Sequence, residues 1–309
     1  MKALITGSEG FVGMHLCAEF EENGYEVVRC DITENDNTVL MDIMRINDVK
    51  RILEQYKPSI LINLAGQANV GLSWKKPQRT VEINTIGTIN ILEAVREINP
   101  SIRVVVMGSS DEYGQLKDKG RNITEESPVN PMNPYAISKV AQELFAKLYV
   151  SNYNLNVCMV RQFNLGGAGQ AKGFLISDFA SGIVEIEAGL RNNLPVGNLE
   201  SARDFTHVKD ACRAIRLIAE KGYPGEIYNI SSGETHTVRE ILYKLISMAK
   251  VPVEIHVDSA RMRPSDTPVI CGNHDKITEH TGWMPEIGLE EILEEELSYW
   301  RKQLISTPQ

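Results

Sequence analysis

The chain has 309 residues, 42% hydrophobic and 24% charged, with a formal charge of −9, which suits a globular protein of about two domains and argues against a nucleic-acid partner. No apolar run approaches the ~18 residues of a membrane span, and the opening Met1–Gly7 stretch breaks into glycine too early for a signal peptide, so a cytoplasmic protein without a membrane partner is expected. Cys17, Cys30, Cys158, Cys212 and Cys271 are odd in number and scattered, and the histidines form no ligand-spaced cluster, so neither a disulfide framework nor a metal site is expected.

Lys2 to Thr6 has the pattern of a short buried strand, followed by Gly7-Ser8-Glu9-Gly10-Phe11-Val12-Gly13 and a helical pattern over Met14 to Glu22. Glycines here permit a tight turn and leave free N–H groups at a helix start, where a pyrophosphate is favoured; Gly7, Gly10, Phe11, Val12 and Gly13 are therefore dinucleotide candidates. A second strand, Glu26 to Cys30, ends at Asp31, roughly 20 residues past the loop, where a carboxylate accepts from a ribose 2′-OH and repels a 2′-phosphate. That favours NAD(H) over NADP(H). Asp42 and Ile43 follow another short apolar piece and join the cofactor candidates; Ile46 to Tyr56 is helical, and Pro58 stops it. Ser59 to Asn63 is a third strand leading into Leu64, Ala65 and Gly66, small enough in part for backbone to approach a ribose. Asn84 to Ile98 carries the broad apolar stripe of a long packed helix. Arg103 to Met107 is a β-branched strand with Ser109, Ser110 and Asp111 at its C-terminal end, where open parallel sheets bind ligands.

Pro134 and the run Val140 to Tyr149 predict a helix on which Tyr135 and Lys139, four residues apart, share a face. A phenol titrates near 10 and a lysine near 10.4, so an ammonium beside the ring favours phenolate and makes Tyr135 a proton carrier near neutrality. The same spacing recurs at Tyr113 and Lys117, but Gly114 argues a turn there. Further on, Asn156 to Arg161 is a strand, Asn164 to Gln170 a flexible loop, Phe174 to Ala188 a helix, and Val196 to Phe205 mixed loop and strand. Ala211 to Ala219 is helical, Ile227 to Ile230 returns a strand to the sheet, Thr237 to Met248 is helical, Arg261 to Asp266 is a polar loop, and Leu289 to Gln303 is an acidic helix. The expected class is α/β: a Rossmann-type doubly wound parallel sheet with a smaller, discontinuous α/β domain.

Three motifs in this order, Thr6 to Gly13, Ser109 to Gly114 and Tyr135 to Lys139, resemble the extended short-chain dehydrogenase/reductase family that acts on nucleotide sugars. Arg161-Gln162-Phe163-Asn164, Val196 to Glu200, Arg203-Asp204-Phe205 and Arg263 to Asp266 resemble its branch of GDP-mannose 4,6-dehydratases and GDP-4-keto-6-deoxy-mannose reductases. The resemblance implies Ser109, Asp111, Tyr135 and Lys139 as catalytic residues, the last holding the nicotinamide ribose. It implies substrate contacts at Asn164, Val196, Asn198, Arg203, Arg263 and Asp266, the two arginines on the diphosphate. A dinucleotide domain over 1–165, with 209–230 returning to it, would face a nucleotide-sugar domain over 166–208 and 231–309, and a homodimer would form through the helices at 84–98 and 134–153. The first expected reaction is reduction of the C4 ketone of a GDP-4-keto-6-deoxy-mannose-type sugar to a GDP-6-deoxyhexose such as GDP-rhamnose. The alternatives are 4,6-dehydration with Asp111 as the C5 base, 4-epimerisation, or a cofactor-sensing protein without turnover, the last disfavoured by the retained Tyr135 and Lys139. The chain departs from the dehydratase pattern in carrying Asp111 for Glu and acidic residues after the second strand, and from the reductase pattern in Leu165 for His and Ala168 for Pro.

Overall fold

The computed structural model describes residues 1–116, 122–258 and 268–306; Lys117, Arg263 and Asp266 lie outside the described residues. Its strands in chain order are Lys2–Thr6 (β1), Glu26–Asp31 (β2), Val39–Leu40 (β3), Ile60–Asn63 (β4), Arg103–Ser109 (β5), Val157–Gln162 (β6) and Asn164–Gly166 (β7). There follow Leu194–Val196 (β8), Ala202–Arg203 (β9), Phe205–His207 (β10), Ile227–Ile230 (β11), His236–Thr237 (β12), Ile255–Val257 (β13) and Val269–Ile270 (β14). Seven of them form one sheet in the order β11-β6-β5-β4-β1-β2-β3, every pair parallel. Chain order reverses between β1 and β4, so the C-terminal ends of these two strands open the crevice in which doubly wound sheets bind ligands.

Side chains alternate across a strand, and β5 divides accordingly: Val105 and Met107 join a core on one face, Val104 and Val106 a core on the other. Phe11–Glu22 (α1) covers the first face, and Ile46–Tyr56 (α2) the second. Between β4 and β5 lie Val70–Lys75 (α3), Pro77–Val81 (α4) and Gly87–Ile98 (α5), and Pro134–Tyr153 (α6) precedes β6. Leu175–Glu187 (α7), Val238–Ser247 (α9) and Leu289–Ser306 (α11) build a third core with β8, whereas Val208–Lys221 (α8) packs beside α1. Asp275–Thr281 (α10) departs from the expected division at 231: Ile277 and Trp283 join the core under α8, and Trp283 Nε1 donates to Asp210 O at 3.0 Å.

Three local features differ from expectation. The first helix starts at Phe11 rather than Met14 because Gly10 takes the cap position, and α3 was not foreseen in the polar stretch after Gln67. The stripe expected to be one helix from Asn84 is divided: a five-residue π turn, Glu82–Ile86, separates α4 from α5.

Candidate active site

The loop after β1 is shaped by contacts only glycine allows. Gly7 sits at φ +69°, and a Cβ there would lie 3.0 Å from Ala65 N; a Cβ on Gly13 would collide with Gly7 O. Helix α1 therefore presses onto the loop. It starts without a side-chain cap and without an acidic residue in its first turn, so its N–H groups and positive end are open to a phosphate. Phe11 and Val12 form that first turn. Asp31, at the end of β2, is pinned beside the loop: its Oδ2 accepts from Glu9 N–H at 3.1 Å and its Oδ1 from Thr33 N–H at 3.0 Å. Leu64, Ala65 and Gly66 lie just past β4 across the crevice, where Ala65 N–H donates to Thr6 Oγ1 at 3.1 Å. A cradle of this form, with a fixed carboxylate at one end and small residues opposite, fits a nicotinamide dinucleotide. Asp42 and Ile43 are engaged in shaping the turn before α2: Asp42 Oδ1 accepts from Met44 N–H at 2.9 Å, and the buried Ile43 packs against Gly87.

At the other end of the crevice stand the β5 terminus and α6. Asn133 caps α6, its Oδ1 accepting from Ala136 N–H at 2.8 Å, and Pro134 occupies the first turn. Tyr135 and Lys139 are consequently both buried on the face toward β5, at 9% and 8% exposure. The Tyr135 phenol lies beside the Ser109 side chain. Ser109 Oγ also accepts from Asp111 N–H at 3.2 Å, and Asp111 Oδ2 accepts from Asn133 Nδ2 at 3.2 Å, so the two β5-end residues and the α6 cap form one unit. Lys139 Nζ lies 5.9 Å from the Tyr135 ring centroid and donates to Met107 O at 2.6 Å and Gln142 Oε1 at 3.3 Å.

The expectation that Lys139 draws the phenol toward neutrality is corrected here. Burial first, then the Asp111 carboxylate, push the Tyr135 phenol well above its ordinary value, outweighing the opposing effect of the Ser109 side chain. Tyr135 therefore keeps its proton at neutral pH. Burial also pushes Lys139 down to about 8, an effect the Glu112 carboxylate opposes.

Two residues of the centre escaped sequence reading. Asn84, in the π turn, has its Oδ1 accepting from Gln67 N–H at 2.7 Å and its Nδ2 donating to Gln67 O at 3.0 Å and Ser138 Oγ at 2.9 Å, tying the β4 loop to α6. A Cβ on Gly66 would lie 3.1 Å from that Asn84 Oδ1 and 3.8 Å from Lys139 Nζ, so both meet at the same loop. Glu112 is wholly buried behind Ser109. A polar residue inside an apolar stripe and a second carboxylate in Asp111-Glu112 were the available signals.

The sugar-side candidates lie on β7 to β9. Asn164 Nδ2 donates to Asp204 O at 3.1 Å, Asn198 Oδ1 accepts from Glu200 N–H at 2.9 Å, and Arg203 Nη1 donates to Ala202 O at 2.9 Å. Val196 has its side chain fully buried in the third core, which leaves its backbone to a ligand, and its carbonyl accepts from Asp258 N–H at 2.8 Å. No cluster of three metal-ligating side chains occurs among the described residues, and none of their helices is long and apolar enough to cross a membrane.

Comparison with known proteins agrees with this geometry. The family model for GDP-mannose 4,6 dehydratase matches residues 4–296. GDP-6-deoxy-D-mannose reductase of Pseudomonas aeruginosa is 33% identical over 98% of each chain, and GDP-mannose 4,6 dehydratase 1 of Arabidopsis thaliana 28% identical over 94% of this chain and 87% of its own. Among solved structures, RMD from Pseudomonas aeruginosa complexed with NADPH superposes with a TM-score of 0.89 at 31% identity, covering 98% of this chain and 99% of its own. The UDP-glucose 4-epimerase of Thermus thermophilus in complex with NAD does so with 0.86 at 27% identity, covering 97% and 99%. The cradle at β1, the Tyr135–Lys139 helix and a match through nearly the whole length lead to one conclusion: the chain belongs to the GDP-mannose 4,6 dehydratase family, nicotinamide-dependent enzymes within the extended short-chain dehydrogenases/reductases.

Proposed function

We propose that this protein reduces the C4 ketone of a GDP-4-keto-6-deoxy-mannose-type sugar to a GDP-6-deoxyhexose such as GDP-rhamnose. The observation that carries the reading is the buried, proton-bearing Tyr135 phenol beside the Ser109 hydroxyl. A ketone being reduced needs a proton at its oxygen as negative charge develops there, and a neutral phenol held in place supplies it, contributing about 10²- to 10⁴-fold. Ser109 donates a second hydrogen bond to the same oxygen. Lys139, protonated below about pH 8, replaces the charge that Tyr135 loses and holds the nicotinamide ribose. The bound reduced nicotinamide supplies the hydride. Asp31 favours NADH over NADPH.

The sugar nucleotide sits over 166–208 and 231–309, less the α10 segment that packs under α8, and Arg203 with Arg263 takes the diphosphate, where guanidinium forks suit phosphate oxygens. The functional unit is a homodimer: Ile137, Leu144 and Leu148 recur on one face of α6 and are 52%, 58% and 45% exposed, with Val81 and Ile86 exposed on the neighbouring turns.

A dehydratase reading rests on Asp111, whose carboxylate acts on the Tyr135 phenol and is held by Asn133, as a C5 base requires. One assay decides. A reductase consumes NADH stoichiometrically with GDP-4-keto-6-deoxy-mannose and makes no keto sugar from GDP-mannose with NAD. Asp111→Asn leaves it partly active; 4-keto product from GDP-mannose that disappears in Asp111→Asn would overturn the proposal.

A further inference from the structure

The buried carboxyl of Glu112 has no part in the reaction described above, yet it is built into the floor of the site. It closes the one-turn 3-10 helix Ser110–Glu112 and folds back so that Oε1 accepts from Ser109 N–H at 2.7 Å, completing a capping box with the Ser109 hydroxyl. Room for it exists because residue 108 is glycine: a Cβ there would collide with Glu112 Oε1 and with Val160 O. Its other oxygen, Oε2, has no hydrogen-bond partner and lies 3.6 Å from Arg161 Nε. That guanidinium is already committed: Nε and Nη2 donate to Glu143 at 2.8 and 2.9 Å, and Nη1 donates to Glu125 O at 3.2 Å. Two buried carboxylates thus share one arginine, which is paired with the other.

The charged and titratable groups around Glu112 come from every packed element. Helix α6 brings Lys139, Glu143 and Lys147, the last paired with Glu143 at 3.1 Å, and Tyr135; β6 brings Arg161; the segment before α6 brings Glu125; and Asp111 and Tyr113 flank it in sequence. Two cations act on Glu112: first Arg161, although its hydrogen bonds go to Glu143, and then Lys139, whose Nζ donates to Met107 O, one residue before the Gly108 on which Glu112 Oε1 packs.

We propose that Glu112 is a positioning residue of the Ser109–Tyr135–Lys139 centre: one carboxyl oxygen orients Ser109, and its ionised form is the counter-charge that keeps the Lys139 ammonium protonated. This rests on the reductase reading only in the use made of Lys139. Burial, and then Glu143, raise Glu112 to about 8, and burial lowers Lys139 to about 8. The two groups exchange charge in one pH range: as Glu112 ionises it holds the proton on Lys139, extending the ammonium form to higher pH.

The test is a titration of Lys139 in the protein without substrate, followed by NMR of ¹³C-labelled lysine with Lys139→Arg for assignment. In Glu112→Gln the Lys139 midpoint should fall by about one pH unit, the order expected when a neighbouring opposite charge is removed; the alkaline limb of kcat/KM should fall with it. Glu112→Asp, which keeps a carboxylate, should restore the midpoint while its shorter reach to Ser109 N–H lowers kcat. A merely structural role would lower thermal stability and leave the midpoint in place. Should the glutamine variant not fold, parallel ¹³C-glutamate and ¹³C-lysine titrations of the unmodified protein decide: a Lys139 signal that also responds at the Glu112 midpoint supports the proposal, and Lys139 and Glu112 titrating independently of one another overturn it. An unmoved Lys139 midpoint in folded Glu112→Gln also overturns it. A moved midpoint in a protein inactive on every GDP-keto sugar would support the proposal and reject the reductase reading.

Discussion

Replacing Tyr135 by Phe removes one oxygen from the most constrained point of the site. The structural cost is small: the phenol oxygen lies beside Ser109, whose hydroxyl still accepts from Asp111 N–H, so folding stability should fall by no more than about 0.5–1.5 kcal/mol, the net value of one hydrogen bond. The catalytic cost is larger. Loss of a positioned general acid lowers kcat by about 10²- to 10⁴-fold, which is about 3–5 kcal/mol at 1.36 kcal/mol per decade. Cofactor affinity should hold within about threefold, because Gly7, Gly13, Asp31 and Lys139 are untouched. Three measurements separate these contributions: denaturant unfolding, NADH binding by fluorescence, and NADH oxidation with GDP-4-keto-6-deoxy-mannose. A variant that keeps more than a tenth of kcat would refute the assignment of the proton to Tyr135. So would a proportional collapse of stability and NADH binding, since Phe would then act through the fold.

Asp31→Ala should narrow the ratio of NADPH to NADH dissociation constants by about tenfold, the order of one like-charge repulsion near a surface; a wild-type preference for NADPH would refute the basis of this expectation. Leu144→Asp places a charge on the exposed α6 face and should convert a dimer to a monomer in light scattering at micromolar protein. A wild-type monomer under the same conditions would remove the homodimer.

Local pattern carried the dinucleotide half far. The glycine loop, Asp31 at a strand end and the Tyr135–Lys139 spacing are contiguous features whose geometry follows from a turn or a helix, and they stand in the structure at the crevice where β1 and β4 part. Burial was harder to see. Glu112 looks like any loop carboxylate until Arg161 on β6 and Glu143 on α6 are folded against it, and nothing local in Val196 to Glu200 tells that the Val196 side chain joins the core with α7 and α9. The direction of the Tyr135 shift failed for the same reason: spacing tells that an ammonium is near, but burial and the neighbouring Asp111, both consequences of tertiary packing, decide the balance.

The π turn at Glu82–Ile86 bears on how such a site tolerates change. A π turn holds one residue more than the α-helical turn it replaces, and one residue is worth about 100° of rotation around a helix axis. That offset lets the chain before it turn toward α6 while α5, beyond it, keeps its apolar side on α2, and it points Asn84 at Gln67 and Ser138 in between. Loss of a single residue there would return the segment to uniform helix and leave both flanking helices with one side facing wrongly, whereas substitutions at its exposed positions would leave that phase intact. The spacing of the chain at this turn is therefore under tighter physical constraint than its composition.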